Sequence, residues 1–282
     1  MTAFTNWWQH LPSQMDPTIF TIGNFPIRWY GTMYIAAFTV VYLLSSYRIR
    51  KEHLPFNKDF LSNVITWAIL GLLLGGRFGY VLFYNFDQFL SEPLSIISPF
   101  SRSGGQLHFT GIAGMSYHGG VIGILIAWIV FARKHRISIF KIGDFIIPAA
   151  PLGFTFGRLG NFINGELYGR VTNASIGMYF PSAMDGLLRH PSQLYEALFE
   201  GLILFAIVWP LRNKKLFTGF ISGLYIFGYG FFRFFIEFFR QPDDHLGFVL
   251  GPLSMGQVLC LAMMIGAGVL WYIAKRAEIQ PS

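Results

Sequence analysis

Few residues of this chain could do chemistry, and arginine dominates them. The run Gly157-Arg158-Leu159-Gly160-Asn161-Phe162-Ile163-Asn164-Gly165-Glu166-Leu167-Tyr168-Gly169-Arg170 closes an apolar stretch with guanidinium, amide and carboxylate groups among glycines. A second constellation, Tyr229-Gly230-Phe231-Phe232-Arg233-Phe234-Phe235-Ile236-Glu237, places a cation and an anion four residues apart, on one face of a helix. His118 stands in Met115-Ser116-Tyr117-His118-Gly119-Gly120, at the head of another apolar run. A planar guanidinium holds a phosphate or carboxylate through two parallel hydrogen bonds, and flanking glycines let such a ligand approach backbone N–H groups. The chemistry these residue types suit is oxyanion recognition, with a histidine available for proton transfer.

The elements that position these groups are membrane spans. The chain is 53% hydrophobic and 12% charged, with a mean hydropathy of +0.48. That apolar surface exceeds what a soluble domain of 282 residues could hide. Apolar runs suited to a hydrocarbon core of about 30 Å, roughly 20 residues each, fall at about 30–47, 60–84, 118–132, 142–160, 193–211, 218–236 and 253–274. The third and fourth are short or interrupted by Gly and Pro. Basic residues follow alternate runs: Arg48, Arg50, Lys51 and Lys58; Arg133, Lys134, Arg136 and Lys141; Arg212, Lys214 and Lys215; Lys275 and Arg276. By the positive-inside rule these ends are cytoplasmic, so the N-terminus is expected outside and the C-terminus inside. The formal net charge of +7 follows largely from these clusters and implies no nucleic-acid partner.

The expected fold is thus an all-α membrane protein of about seven transmembrane helices, a single integral membrane domain over residues 1–282. Segments 85–117 and 170–192 form an outer head. Met1 to His10 lacks the basic start and apolar core of a cleavable signal, and Phe4-Thr5-Asn6-Trp7-Trp8 reads as an interfacial arm, with a disordered tail as the alternative.

Once the cytoplasmic clusters are set aside, the remaining cations are Arg28, Arg77, Arg102, Arg158, Arg170, Arg189, Arg233 and Arg240, with no lysine among them. At 1.5 Å rise per residue, Arg77, Arg158 and Arg233 lie roughly 22 to 27 Å from the cytoplasmic ends of their spans, and Tyr30 and His118 reach about the same height. A membrane-depth arginine costs about 2.5 kcal/mol or more at a helix centre, so three at one depth imply partners or a functional cavity; snorkelling is the rival explanation. Gly76-Arg77-Phe78-Gly79-Tyr80 echoes Gly157-Arg158-Leu159-Gly160-Asn161 too briefly to make a repeat. Glu237 reads either as part of the site or as a fold-stabilising partner of Arg233. No His, Cys and carboxylate spacing implies a metal, and no cofactor is expected. Cys260, the single cysteine, lies in an apolar run where a thiolate would be poorly solvated. Any thiol chemistry must therefore use a thiol from elsewhere.

These motifs carry a resemblance. The run Gly157 to Arg170 resembles the signature of bacterial prolipoprotein diacylglyceryl transferases. Trp29-Tyr30-Gly31, Tyr117-His118-Gly119-Gly120, His190-Pro191-Ser192-Gln193-Leu194-Tyr195-Glu196 and the segment from Arg233 through Pro242 resemble that family's other motifs, in the family's order and across nearly the whole chain. The resemblance implies an enzyme of the bacterial plasma membrane, working in its outer leaflet. It would transfer the diacylglyceryl group of phosphatidylglycerol to the lipobox cysteine thiol of a prolipoprotein signal peptide, forming a thioether and releasing glycerol 1-phosphate. On that reading His118, Arg158 and Arg233 are catalytic, and Tyr30, Arg77, Asn161, Glu166, Gly169, His190 and Glu237 bind substrate. His118 is the first choice of base, with an arginine-polarised thiolate or a glutamate base as alternatives. An organic-anion transporter and a non-catalytic lipid-binding protein are the readings from other classes.

Overall fold

An apolar run in lipid has no hydrogen-bond partner for its backbone except itself, so each such run is expected to be helical. The protein was analysed as a computed structural model, which describes residues 2–23, 25–84, 86, 100–103, 106–109, 114–214, 216–241 and 248–279. Its helices are α1 (Ala3–Gln9), α2 (Trp29–Lys51), α3 (Lys58–Tyr84), α4 (Tyr117–Lys134), α5 (Ile139–Ile146), α6 (Ala150–Ile163), α7 (Ser192–Glu196), α8 (Leu204–Leu211), α9 (Phe220–Ile236) and α10 (Met255–Ile279). All seven apolar runs of the sequence are helical. Five stretches are long and apolar enough to cross a membrane: Trp29–Lys51, Lys58–Leu82, Ile139–Ile163, Ser192–Leu211 and Met255–Arg276.

Among the described residues, four short antiparallel strand pairs qualify the all-α expectation: β1 (Thr18–Ile22) with β2 (Phe25–Arg28), β3 (Phe100–Ser103) with β4 (Gln106–Phe109), β5 (Met178–Tyr179) with β6 (Leu188–Arg189), and β7 (Phe248–Leu250) with β8 (Leu253–Ser254). Backbone between helices must still pair its polar groups, and a hairpin does so with few residues. Much of the expected outer segment 85–117 lies outside the described residues, β3 and β4 being part of what is described.

The chain divides into two compact units, residues 54–142 and residues 1–53 with 143–282. The smaller is built on α3 and α4, which approach through glycine faces. A Cβ at Gly75 would collide with the carbonyl oxygen of Gly119, and one at Gly123 with that of Gly71. Small residues of this kind let membrane helices touch backbone to backbone. The neighbouring stripe of α3 leaves Leu70, Leu74, Phe78 and Leu82 exposed, an i, i+4 apolar row suited to lipid.

In the larger unit, α1 is folded rather than disordered. Trp8 Nε1 donates to the carbonyl of Ile176 at 3.0 Å, and Trp8 packs with Leu11 and Met15 on the buried trio Phe162, Met178 and Phe180. Phe4 and Trp7 remain exposed, their rings 5.8 Å apart. Charged groups clamp one set of helix ends. Arg48, 4% exposed, donates to the carbonyls of Asp144 and Phe145 at 2.8 and 2.6 Å and pairs with Glu52 at 2.8 Å. Glu52 also pairs with Arg212 at 2.7 Å. The Asp144 carboxylate accepts from the backbone N–H groups of Gly219 and Ser222, at 2.6 and 2.9 Å, capping the positive end of α9. Two arginines of the basic clusters, Arg48 and Arg212, therefore have structural partners.

Candidate active site

Every contact of the site described below lies in the larger unit. It begins where α6 ends. Gly165 has φ +66°, a conformation that favours glycine, and its N–H bonds to Phe162 O while the N–H of Glu166 bonds to Asn161 O at 3.1 Å. This is a Schellman closure. It turns the chain back so that the Glu166 side chain lies beside the helix that precedes it. Asn161 Nδ2 then donates to Glu166 Oε1 at 2.8 Å, and Asn161 Oδ1 accepts from Arg158 Nη1 at 3.4 Å. The amide stands between a cation and an anion, which fixes its orientation. Asn164 donates to the same carboxylate oxygen at 3.4 Å.

The following helix supplies the hub. Pro191 precedes α7, and between α7 and α8 the chain makes a π-helical turn, Ala197–Ile203. A π turn inserts an extra residue and re-aims the side chains on it; such turns concentrate at functional sites. Gly201 lets this turn close onto α6, where an added Cβ would strike Thr155 Oγ1. Glu196 immediately precedes the turn and Glu200 lies within it, both 0% exposed. Glu196 binds both arginines of the sequence motifs: Arg158 Nε at 2.9 Å through Oε2 and Arg233 Nη1 at 2.7 Å through Oε1. Arg240 Nε stands 3.8 Å from Glu196 Oε1.

On α9 the four-residue spacing works as expected, with Arg233 Nη2 and Glu237 Oε2 at 3.2 Å. Glu237 is held in turn by Ser254, whose Oγ donates to Oε1 at 3.3 Å, and by Gly256, where any Cβ would press on the carboxylate. Arg158 further lies over the Phe154 ring, 4.7 Å from guanidinium carbon to centroid. The result is a low-dielectric ionic cluster in which two guanidiniums, each with a side chain 12% exposed, share one fully buried carboxylate.

The remaining expected site residues divide between the units. Tyr30 joins the cluster: its hydroxyl interacts with the Asn161 amide and stands 3.2 Å from Tyr34 Oη. Gly169 sits on the edge of the cluster, bridged to Arg240, and an added Cβ would strike Phe239 O and come within 2.7 Å of His190 O. His190 acts largely through its backbone: its carbonyl accepts from Gly169 N at 2.8 Å and its N–H donates to Arg170 O at 3.0 Å. Its ring nitrogen Nδ1 is 3.0 Å from Tyr195 Oη, and burial pushes the imidazole below its ordinary range. Nearby, the hydrogen bond from Arg189 holds the Asp185 carboxyl low. Arg77 and His118 belong to the smaller unit. Arg77 Nη1 donates to Gly114 O at 3.2 Å, and exposed His118 occupies the first turn of α4, which Ser116 caps by accepting from Gly119 N at 3.2 Å.

The sequence reading missed Glu196 as the hub, although the residue stood inside a quoted motif, and missed Glu200 altogether. A usable signal was present: two glutamates four apart in an apolar span demand counter-charges on the same face.

This chain is similar to known proteins over nearly its whole length. A family model described as prolipoprotein diacylglyceryl transferase matches residues 17–273. A phosphatidylglycerol–prolipoprotein diacylglyceryl transferase of Chlorobaculum tepidum is 59% identical over 279 residues, covering 99% of this chain and 96% of the relative. Proteins of the same name from Bordetella avium and Pseudoalteromonas atlantica are 47% and 45% identical, covering 95% and 93% of this chain and 98% and 90% of their own lengths. The chain belongs to the prolipoprotein diacylglyceryl transferase family.

Proposed function

We infer that this protein transfers the diacylglyceryl group of phosphatidylglycerol to prolipoproteins, and that the Arg158–Glu196–Arg233 cluster receives the lipid phosphate. The sharing of one buried carboxylate by two guanidiniums carries this reading. A guanidinium has five N–H donors, and in the contacts described Arg158 pairs with Glu196 through Nε and donates one hydrogen bond, from Nη1 to Asn161. A phosphodiester can therefore enter as an additional acceptor between groups already oriented for it.

The acceptor is the thiol of the lipobox cysteine in the prolipoprotein signal peptide. Its free pKa of about 8.5 leaves it mostly protonated near neutrality. His118 takes the thiol proton; this role rests on its motif. The thiolate attacks the glyceryl carbon next to the phosphate ester. A carbon–sulfur bond forms, the carbon–oxygen bond breaks, and its electron pair goes to the phosphate oxygen of the departing glycerol 1-phosphate. Arg158 and Arg233 stabilise that growing charge, an effect typically worth about 10² to 10³ in rate per donor. Glu237 orients Arg233. Asn161 and Glu166 bind the glycerol headgroup, Tyr30 donates a hydrogen bond to it, Arg77 is a further contact for the anion, and Gly169 and His190 shape the loop.

In the membrane, residues 1–282 act as a single domain of seven spans, α4 and α9 crossing along with the five longer stretches. The N-terminus is outside, the C-terminus is in the cytoplasm and the site faces the outer leaflet of the bacterial plasma membrane. Alternating basic clusters and the exposed Phe4–Trp7 pair, an interfacial anchor for α1, support this placement. Segments 85–117 and 170–192 form the outer head.

Incubating the purified full-length protein with phosphatidylglycerol and a lipobox peptide should give a diacylglyceryl mass increment and free glycerol 1-phosphate. Arg158→Lys and Arg233→Lys retain charge but lose the fork, so each should cut kcat/KM by about 10² or more. Near-normal transfer by both would end the bidentate phosphate reading. Full activity of His118→Gln across the pH range would remove His118 as the base.

A further inference from the structure

Glu200 is the group in the ionic cluster that the transfer mechanism leaves unused. It is 0% exposed, and neither carboxylate oxygen accepts a hydrogen bond from any described residue. Its ion-pair contact is Arg233 Nη1, 3.8 Å from Oε1. Its neighbours are better served: Glu196 accepts from Arg233 at 2.7 Å and Glu237 from Ser254 at 3.3 Å. A buried carboxylate left without hydrogen bonds is costly, so a constraint must hold it there. That constraint is the π turn, pinned by Gly201 against Thr155.

Charge counting gives this position a purpose. Among the described residues the ion-paired set comprises Arg158, Arg233 and Arg240 against Glu196, Glu200 and Glu237, three charges of each sign. A phosphodiester entering this set, to which Arg77 of the smaller unit does not belong, brings one negative charge that the set's own arginines do not balance into a buried, low-dielectric region, where an unbalanced charge is expensive. We propose that Glu200 takes up one proton as the phosphodiester docks on Arg158 and Arg233, so that the loaded site remains neutral. The proposal rests on the assignment of those arginines to the lipid phosphate.

Several groups face Glu200. Arg233 and Tyr229 approach from α9, Arg158 from α6 and Glu196 along its own helix; Arg240 and Cys260 also interact with it or with its partners. The guanidiniums stay charged throughout. Glu196 and Glu237 each hold an arginine by a shorter ion pair, at 2.7 and 3.2 Å, that protonation would break. Glu200 can be neutralised without breaking a hydrogen bond. It acts through the charge balance of the arginines, as a positioning residue.

Glycerophosphoglycerol, the deacylated headgroup, is a suitable probe because its phosphodiester keeps a single charge near and above neutral pH. Calorimetry on the full-length enzyme in detergent, in buffers of different ionisation enthalpy, counts the protons exchanged on binding. Wild type should take up about one proton on the alkaline side, where affinity should fall about tenfold per pH unit. Glu200→Gln, always neutral, should take up close to none and bind with a flat alkaline limb. No proton uptake by wild type, or undiminished uptake by Glu200→Gln, would overturn the proposal. Glu200→Asp keeps the charge on a shorter arm and serves as the second variant: a displaced alkaline limb is expected, and an unmoved one also overturns the idea. Failure of the underlying assignment has a different signature. Probe binding unchanged in Arg158→Lys and Arg233→Lys would overturn the phosphate reading, and this proposal with it, whatever Glu200→Gln does.

Discussion

The larger unit contains two buried clusters of arginine and carboxylate, and they use their charges differently. In the clamp at Arg48, Glu52, Arg212 and Asp144, main chain answers many of the charges. Arg48 spends Nη1 on two carbonyl oxygens, and Asp144 accepts from two backbone N–H groups and from Ser222 Oγ at 2.7 Å. In the cluster at Arg158, Glu196, Glu200, Arg233 and Glu237, the contacts are mainly between side chains, and Glu200 has no hydrogen bond from a described residue. Charges tied to helix ends cannot move without unwinding the helices, so the first cluster is a fastener. Charges tied to other side chains can be repartitioned when an anion arrives. Buried arginine alone does not mark a site; what matters is whether its partners can be exchanged.

Four substitutions probe this contrast, the largest effect coming first. Glu196→Gln removes the carboxylate shared by two buried guanidiniums. Transfer to a lipobox peptide should fall roughly 10³-fold, and the unfolding midpoint should drop, since breaking a buried pair costs about 3 to 5 kcal/mol. Retained activity would place the anion elsewhere. Gly169→Ala introduces a methyl group against Phe239 O and His190 O. It should cost about 1 to 3 kcal/mol and slow transfer by displacing Arg240, and a high-resolution structure with an unshifted Arg240 would contradict that explanation.

Arg48→Met should reverse the pattern in the clamp. Thermal stability should fall by about 2 to 4 kcal/mol, while kcat per folded molecule, measured after active-site counting, stays within about twofold. A large kcat defect would erase the distinction between the clusters. His190 gives the smallest effect. Its imidazole is held below its ordinary range by burial, so below an unfolded pKa of about 6.5 the unfolded chain binds more protons than the native one. Stability should therefore rise with pH through the window just below that value, and His190→Phe should flatten the slope. An unchanged slope in a pH series of melting curves would assign it to another group.

Much of this arrangement was legible before any coordinates. The pairing of Arg233 with Glu237 follows from their spacing, and the turn at Gly165 follows from a glycine after an apolar helical run. The hub was not legible. Glu196 lies 38 residues from Arg158 and 37 from Arg233, and spacing rules reach no further than one helical turn. The hairpins were also unread, because two- to five-residue strands carry too little alternation to recognise.

The sequence by itself determined that the chain belongs in a membrane, where its helices run, and that it carries residue types suited to an oxyanion. These properties depend on composition and on neighbours within a few residues, which the chain order fixes. Tertiary structure decided that Arg158 and Arg233 share Glu196, that Arg48 and Arg212 hold helix ends together, and that a π turn buries Glu200 beside the arginines. Each of these depends on which faces of distant helices meet. Steric fit at Gly201 against Thr155 and the need of every buried charge for a partner set that choice.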